Sequence, residues 1–206
     1  MKQPNIGQQE PSSLQDDILL ESVSYKQYQS DVLFDIHEHA IEFKNCVFES
    51  VSMQDVDLEN SYFVDCIFKD CDLSNIKILS TLLRRVQFIN CKLLGTDFSE
   101  SVFDDVLLKQ CECGFANFSF MKNKEVHMKE CRLYNASIIE THLKKTTFQN
   151  CSFEQCEVLH SSLYNIDLST CELSGISTTP QDIQGALITR LQAEDLIHLL
   201  GVKIKA

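Results

Sequence analysis

The 206-residue sequence contains no run of about 18 apolar residues, which excludes a transmembrane helix. Its start, MKQPNIGQQEPSSLQ, has no apolar signal core, so nothing points to secretion and a cytoplasmic location is expected. Positive charge is scarce: 18 Lys and Arg stand against 30 Asp and Glu, for a net charge of −12. Such a chain does not hold nucleic acid through bulk charge, although it could bind a protein that does. Tryptophan is absent, and proline occurs only at 4, 11 and 180, so 168 residues pass without one. There is no nucleophile elbow, phosphate-binding glycine loop, HExxH or paired CxxC. The six histidines are scattered, and only His37 and His39, two apart, invite even a weak metal reading. The chain therefore reads as non-enzymatic, with no cofactor, no metal and no small-molecule substrate. Hydrophobic residues make up 44% and mean hydropathy is −0.11, which argues against disorder; the length suits one domain.

Ten cysteines are present, at 46, 66, 71, 91, 111, 113, 131, 151, 156 and 171. All but Cys113 differ by multiples of five, which points to an internal repeat. From Phe43 to Leu173, every fifth residue forms a column of 27 positions, of which 26 are hydrophobic. Composition alone predicts about 12. Two residues earlier runs a second column, Ile41 to Cys171, of Cys, Ser, Thr, Val, Ala and Ile, with Met121 its only long side chain. The other three positions of each five are mostly polar. A helix cannot use this period, because five residues rotate a side chain by about 140°. Two inward positions spaced by two, then a break, fit a short extended piece followed by a corner. Parallel stacking of such coils, about 4.8 Å apart, would satisfy the backbone.

Units such as CDLSN (71–75), TDFSE (96–100) and IDLST (166–170) resemble the pentapeptide-repeat family, whose motif is written A(D/N)LXX. The resemblance implies an all-β solenoid, a right-handed quadrilateral β-helix with four units per turn, over 41–188. Residues 1–40 would be an N-terminal tail and cap, and 189–206 a C-terminal helix and strand for dimerisation. The sequence offers one internal check. Cys71, Cys91, Cys111, Cys131, Cys151 and Cys171 recur every twenty residues, as four-sided coiling would produce. These cysteines read as small packing residues. A straight column does not offer zinc four converging ligands, and disulfides need suitably directed Cβ vectors. A thiol-based metal or redox protein is the third and least favoured functional reading.

At the N-terminal end, Ser13 with Asp16 three later, followed by Ile18, Leu19 and Leu20, predicts a short helical cap around 13–22. Leu33 and Ile36 suggest that coiling begins before 41, but Glu38 breaks the column. At the other end, Thr189 and Gln192 form a capping-box pattern, and Gly201 supplies a stop. Leu191, Leu196, Ile197, Leu199, Leu200, Val202 and Ile204 give an apolar set for either a lid or a two-fold dimer.

The ending TRLQAEDLIHLLGVKIKA, together with RRVQFINCKLLGTDFSES, is similar to the quinolone-resistance (Qnr-type) members of that family, particularly the loop-free Gram-positive branch. That resemblance implies a homodimer joined through the C-terminal end. It also implies a DNA mimic that binds DNA gyrase and topoisomerase IV and protects them from fluoroquinolones, without touching nucleic acid or membrane. The alternative is a generic acidic β-helical scaffold for another basic partner.

Sorting outward residues by face, with faces one to four holding the units centred on Phe43, Phe48, Met53 and Leu58 and those at twenty-residue intervals after them, gives a polarised rod. The third and fourth faces carry −3 and −5, the second −1 and the first +2. The acidic candidates for partner contact are Asp55, Asp57, Glu59, Asp72, Asp97, Glu100, Glu112, Glu140, Glu154 and Glu157. Beside them, Leu94, Phe115, Phe120, Tyr134 and Ile139 form an outward apolar cluster. Met121 and Asn123 violate the column rule, so a local bulge near 120–124 is expected.

Overall fold

The computed structural model describes residues 1–202 and shows a parallel β-solenoid. From the first coil onward residue i pairs with residue i+20, with one slip at Asp104: Tyr62 lies opposite Leu82, Leu82 opposite Val102, and Asp72 opposite Lys92. Each turn therefore spends twenty residues. The two columns predicted to face inward do so. All 27 residues of the small column from Ile41 to Cys171 are buried, as are 26 of the 27 from Phe43 to Leu173. Phenylalanines twenty apart stack with nearly parallel rings: Phe48 on Phe68 at 4.4 Å, Phe68 on Phe88 at 4.9 Å, and Phe98 on Phe118 at 5.4 Å. Offset stacking of this kind adds to the area each ring buries.

The corners lie at every fifth residue. Twenty-seven non-glycine residues, from Tyr25 to Asn165, have φ between 49° and 64°, all at positions divisible by five. A single left-handed residue breaks the extended run and swings the chain through a corner, so four make one square turn. Side chains other than Asn, Asp and Gly pay a steric cost in this region. Bonds between turns offset it: the corner amides of Asn45, Ser50 and Asp70 donate to the carbonyls of Val64, Lys69 and Ile89 at 2.9–3.0 Å.

The small column has a polar task besides packing. The Thr96 hydroxyl donates to the Leu73 carbonyl at 2.7 Å, Ser101 to Ile78 at 2.9 Å and Thr141 to Phe118 at 2.7 Å. The thiols of Cys91, Cys111 and Cys131 make the same contact, more weakly, at 3.5 Å. Cys, Ser and Thr thus recur because each is small and donates to the carbonyl of a core residue 23 positions earlier. All ten thiols are free and buried, and burial pushes the Cys156 thiol up to about 12. A protonated, enclosed thiol such as that of Cys156 is a poor nucleophile and a poor metal ligand.

The ladder extends N-terminal to 41. Ser22–Ser24 pairs with Glu42–Lys44, Lys26–Gln29 with Val47–Glu49, and Val32–His37 with Ser52–Asp57. Val23, Tyr28 and Leu33 continue the large column inward. The cap is a single turn, Leu14–Asp17, whose Leu14 and buried neighbour Ile18 close the end. Ser13 makes no capping bond; Asp31 accepts from the Leu14 amide at 2.7 Å instead.

Residues 1–11 form a strap along the rod. Glu10–Pro11 pairs with Lys26–Gln27, Asn5 donates its amide to Asp65 at 2.8 Å, and Lys2 to Asp105 at 2.7 Å. The strap follows the corner between the first and second faces, opposite the acidic pair. Beneath it Arg85 grips the buried Asp65 carboxylate with two bonds of 2.6 and 2.7 Å. Burial pushes the Asp65 carboxyl up, but the Arg85 guanidinium and the Asn5 amide outweigh it and hold it below the ordinary range. A carboxyl depressed on folding contributes stability above its unfolded value of about 3.9, lost as pH falls through the lower folded value. Urea midpoints should therefore drop below about pH 4. Asp65→Asn should be less stable at neutral pH and show a shallower acid slope; equal slopes would contradict this role.

The expected irregularity falls at 123–125, where the partner of Asp104 shifts to Glu125 and the left-handed corner is missing. Asn123 occupies a core-column position half-buried, donating to the Thr146 hydroxyl at 3.3 Å. The predicted capping box is present: the Thr189 amide donates to Gln192 Oε1 at 2.7 Å, and the Gln192 amide to Thr189 Oγ1 at 3.3 Å. The buried Gln192 amide group also donates to the carbonyls of Leu168 and Cys171, at 2.7 and 2.6 Å. Gln192–Leu196 is thus a lid that satisfies the last turn's open carbonyls.

Candidate functional site: the acidic faces and the C-terminal end

The third and fourth faces are adjacent sides of the rod, so their side chains share one surface. The three bases on these faces all lie beside an acid twenty residues earlier. Lys77 is 3.4 Å from Asp57, Lys92 is 3.3 Å from Asp72, and Arg132 is 3.1 Å from Glu112. Register causes this, since side chains at i and i+20 stand directly opposite in parallel strands. Burial raises and the Ser74 hydroxyl and amide, with Lys92, lower the Asp72 carboxyl; the lowering wins.

Asp57 is less available than its outward position suggested. It is buried, covered by Lys77, and accepts from the Glu59 amide at 3.3 Å. Asp72 and Glu112 are half-buried as well as paired. Asp55, Glu100, Glu140 and Glu154 are exposed, and Glu59, Asp97 and Glu157 half-exposed. These seven, with exposed Glu172, have no salt-bridge partner among the described residues.

Phe115 and Phe120 stand out from the surface at 60% and 49% exposure. Leu94, Tyr134 and Ile139 are half-buried. Phe115 and Tyr134 meet edge to face at 5.3 Å. The Tyr134 ring folds over Gly114, where an added Cβ would lie 2.2 Å from ring carbon. Gly114 therefore lets Tyr134 lie flat, a role not read from the sequence. Phe120 occupies a corner between the corner residues Glu100 and Glu140, one turn away on either side. An exposed ring is thus flanked by two exposed carboxylates in a single column.

At the C-terminal end the apolar set divides. Leu196 is buried against its own core, and Ile197 and Leu199 are half-buried, so these close the lid. Leu191, Leu200 and Val202 are open to solvent, as is Leu187. Ile204 lies outside the described residues.

Residues 41–118 match the family model described as pentapeptide repeat region. No curated protein matches the chain. Among solved structures, full-length QnrB1, a plasmid-mediated fluoroquinolone resistance protein, is 16% identical. That match covers 88% of this chain and 100% of the other, with a TM-score of 0.36. HetL, a pentapeptide repeat protein involved in heterocyst differentiation regulation from the cyanobacterium Nostoc, is 14% identical. It covers 84% and 87% of the two chains, with a TM-score of 0.44. Likenesses at this level decide nothing about partners. Residues 41–118 thus carry a pentapeptide repeat region, and the five-residue unit and its twenty-residue turn run on through the rest of the rod.

Proposed function

We propose that the protein is a non-enzymatic DNA mimic that binds DNA gyrase and topoisomerase IV and protects them from fluoroquinolones. The observation that carries this reading is the group of carboxylates without a salt-bridge partner on two adjacent faces, beside exposed Phe115 and Phe120. The partner surface would be the basic saddle that otherwise receives DNA. The repeats over 41–188 make a rod of about 35 Å at ~4.8 Å per turn, over which duplex DNA carries about 20 charges. Of eleven carboxylates on the two faces, the eight without a salt-bridge partner give about two fifths of that density. Charge therefore steers the encounter, and the aromatic pair and the rod's shape must supply much of the affinity.

The test is gyrase supercoiling in the presence of ciprofloxacin, with and without the protein, alongside direct binding competed by DNA. Rescue of supercoiling and competition with DNA are expected. Absence of both removes the proposal and favours a scaffold for another basic partner.

The same reading includes a homodimer through the C-terminal end. Leu191, at 78% exposure, and Leu200, at 72%, are the open leucines to change. Leu191→Asp with Leu200→Asp should sediment as a monomer where the parent sediments as a dimer. An unchanged sedimentation mass would contradict this. Leu196→Asp is a poor test, because it would place a charge inside the lid.

A further inference from the structure

The N-terminal coils bring together six side chains that the acidic-face reading does not fully use. Val32–His37 and Ser52–Asp57 form a two-stranded parallel sheet of their own, with His37 opposite Asp57. The ladder continues past the strands, where the Ala40 amide donates to the Glu59 carbonyl at 3.0 Å. Two three-residue sets result. In Asp35, His37 and Asp55, one ligand atom from each lies within 4.8 Å of the others; the same holds for His39, Asp57 and Glu59. Each set draws from both coils.

We infer that these sets are two neighbouring sites for divalent transition ions of the zinc class, clamping the first coil to the next. Imidazole nitrogen with carboxylate oxygen is a donor set that such ions take, and three protein ligands leave a position for water. Bonds of about 2.1 Å in a tetrahedron put ligand atoms about 3.4 Å apart. His37 Nε2 and Asp35 Oδ1 are already at 3.3 Å. The remaining atoms need modest side-chain rotations, which exposed Asp35, His37, Asp55 and His39 are free to make. In each set two carboxylates balance one divalent ion. In the second set the ion would displace Lys77, now 3.4 Å from Asp57.

The location gives the clamp a purpose. Within 31–40 only Leu33 is buried; Ile36 is half-buried, and Glu38 stands at a core-column position. Elsewhere each turn is held to the next by apolar packing, which is thin here. Ligands shared between the coils replace on the outside what the interior lacks.

Cobalt(II), added to the full chain after chelator dialysis, is the probe. Two ions per chain are expected from the two sets, with visible d–d absorption and no thiolate charge-transfer band. His37→Ala should lose one ion and His39→Ala the other, with unchanged far-ultraviolet circular dichroism. Zinc should raise Tm in the parent and not in the double variant. Absence of the visible band overturns the assignment. So does a thiolate band, the parent stoichiometry in both variants, or a parent Tm indifferent to zinc.

Discussion

Phe68→Ala should lower the free energy of unfolding by about 3–5 kcal/mol, the range for a phenylalanine deleted from a packed core. Phe68 is almost wholly buried and stacks on both sides, at 4.4 Å on Phe48 and 4.9 Å on Phe88, with Phe63 edge-on at 5.6 Å. Removing it interrupts the aromatic column between two turns. Neighbouring strands cannot close the gap, because the ladder fixes their spacing. Solenoids add stability through nearest-neighbour contacts, so loss at one interface weakens cooperation between the turns on either side. Urea unfolding should therefore show a lower midpoint and a broader transition. Tyr62→Ala, at an exposed site on the same strand, should cost well under half as much. Equal losses would mean that the stacking is not what holds these turns together.

The interior of this fold was legible because its signal repeats without a slip. A hydrophobic residue at 26 of 27 positions leaves no competing period, and the cysteines twenty apart agreed with the four-unit turn that the family resemblance implied. The corners carried a signal too, since Asn45, Asn60, Asp70, Asn75 and Asn90 sit where left-handed backbone is required. Phe115, Phe120 and Arg85 at the same positions obscure it. The first coils were hidden because Glu21, Lys26 and Asp31 hold small-column positions and Glu38 a core-column position. The strap has no periodicity of its own; it is fixed by Asp65 and Asp105, sixty and about a hundred residues away. At the site, the repeat register sets which side of the rod each carboxylate lies on, but Asp57 is buried and availability depends on what lies one turn later. Lys77, Lys92 and Arg132 remove three acids from the open set, and Gly114 governs how Tyr134 lies. Division of the C-terminal leucines between lid and open surface follows from Gln192 anchoring the helix to Leu168 and Cys171, a tertiary contact with no local signature.

Glu100→Lys with Glu140→Lys should weaken binding to gyrase by roughly 10- to 100-fold, about 1.4–2.8 kcal/mol. The two glutamates are exposed corner residues on either side of Phe120. Reversal changes the net charge by four and places lysines against a basic partner, at the part of the surface where the ring would be desolvated. Phe120→Ala should lose a comparable amount, since a central aromatic is the usual energetic anchor of an interface. Salt separates the two effects. Screening acts over about 10 Å at 0.1 M ionic strength, so the parent's affinity should fall with salt. The double lysine variant should depend on salt less steeply or in the opposite sense, whereas Phe120→Ala should keep the parent's slope at lower affinity. Both variants alter exposed side chains, and their Tm should stay close to the parent's. Lys144→Glu with Lys145→Glu, on the first face, should leave binding intact or slightly improved. If all three variants bind gyrase as the parent does, the partner does not meet the acidic faces, and the carboxylates serve the rod's solubility instead.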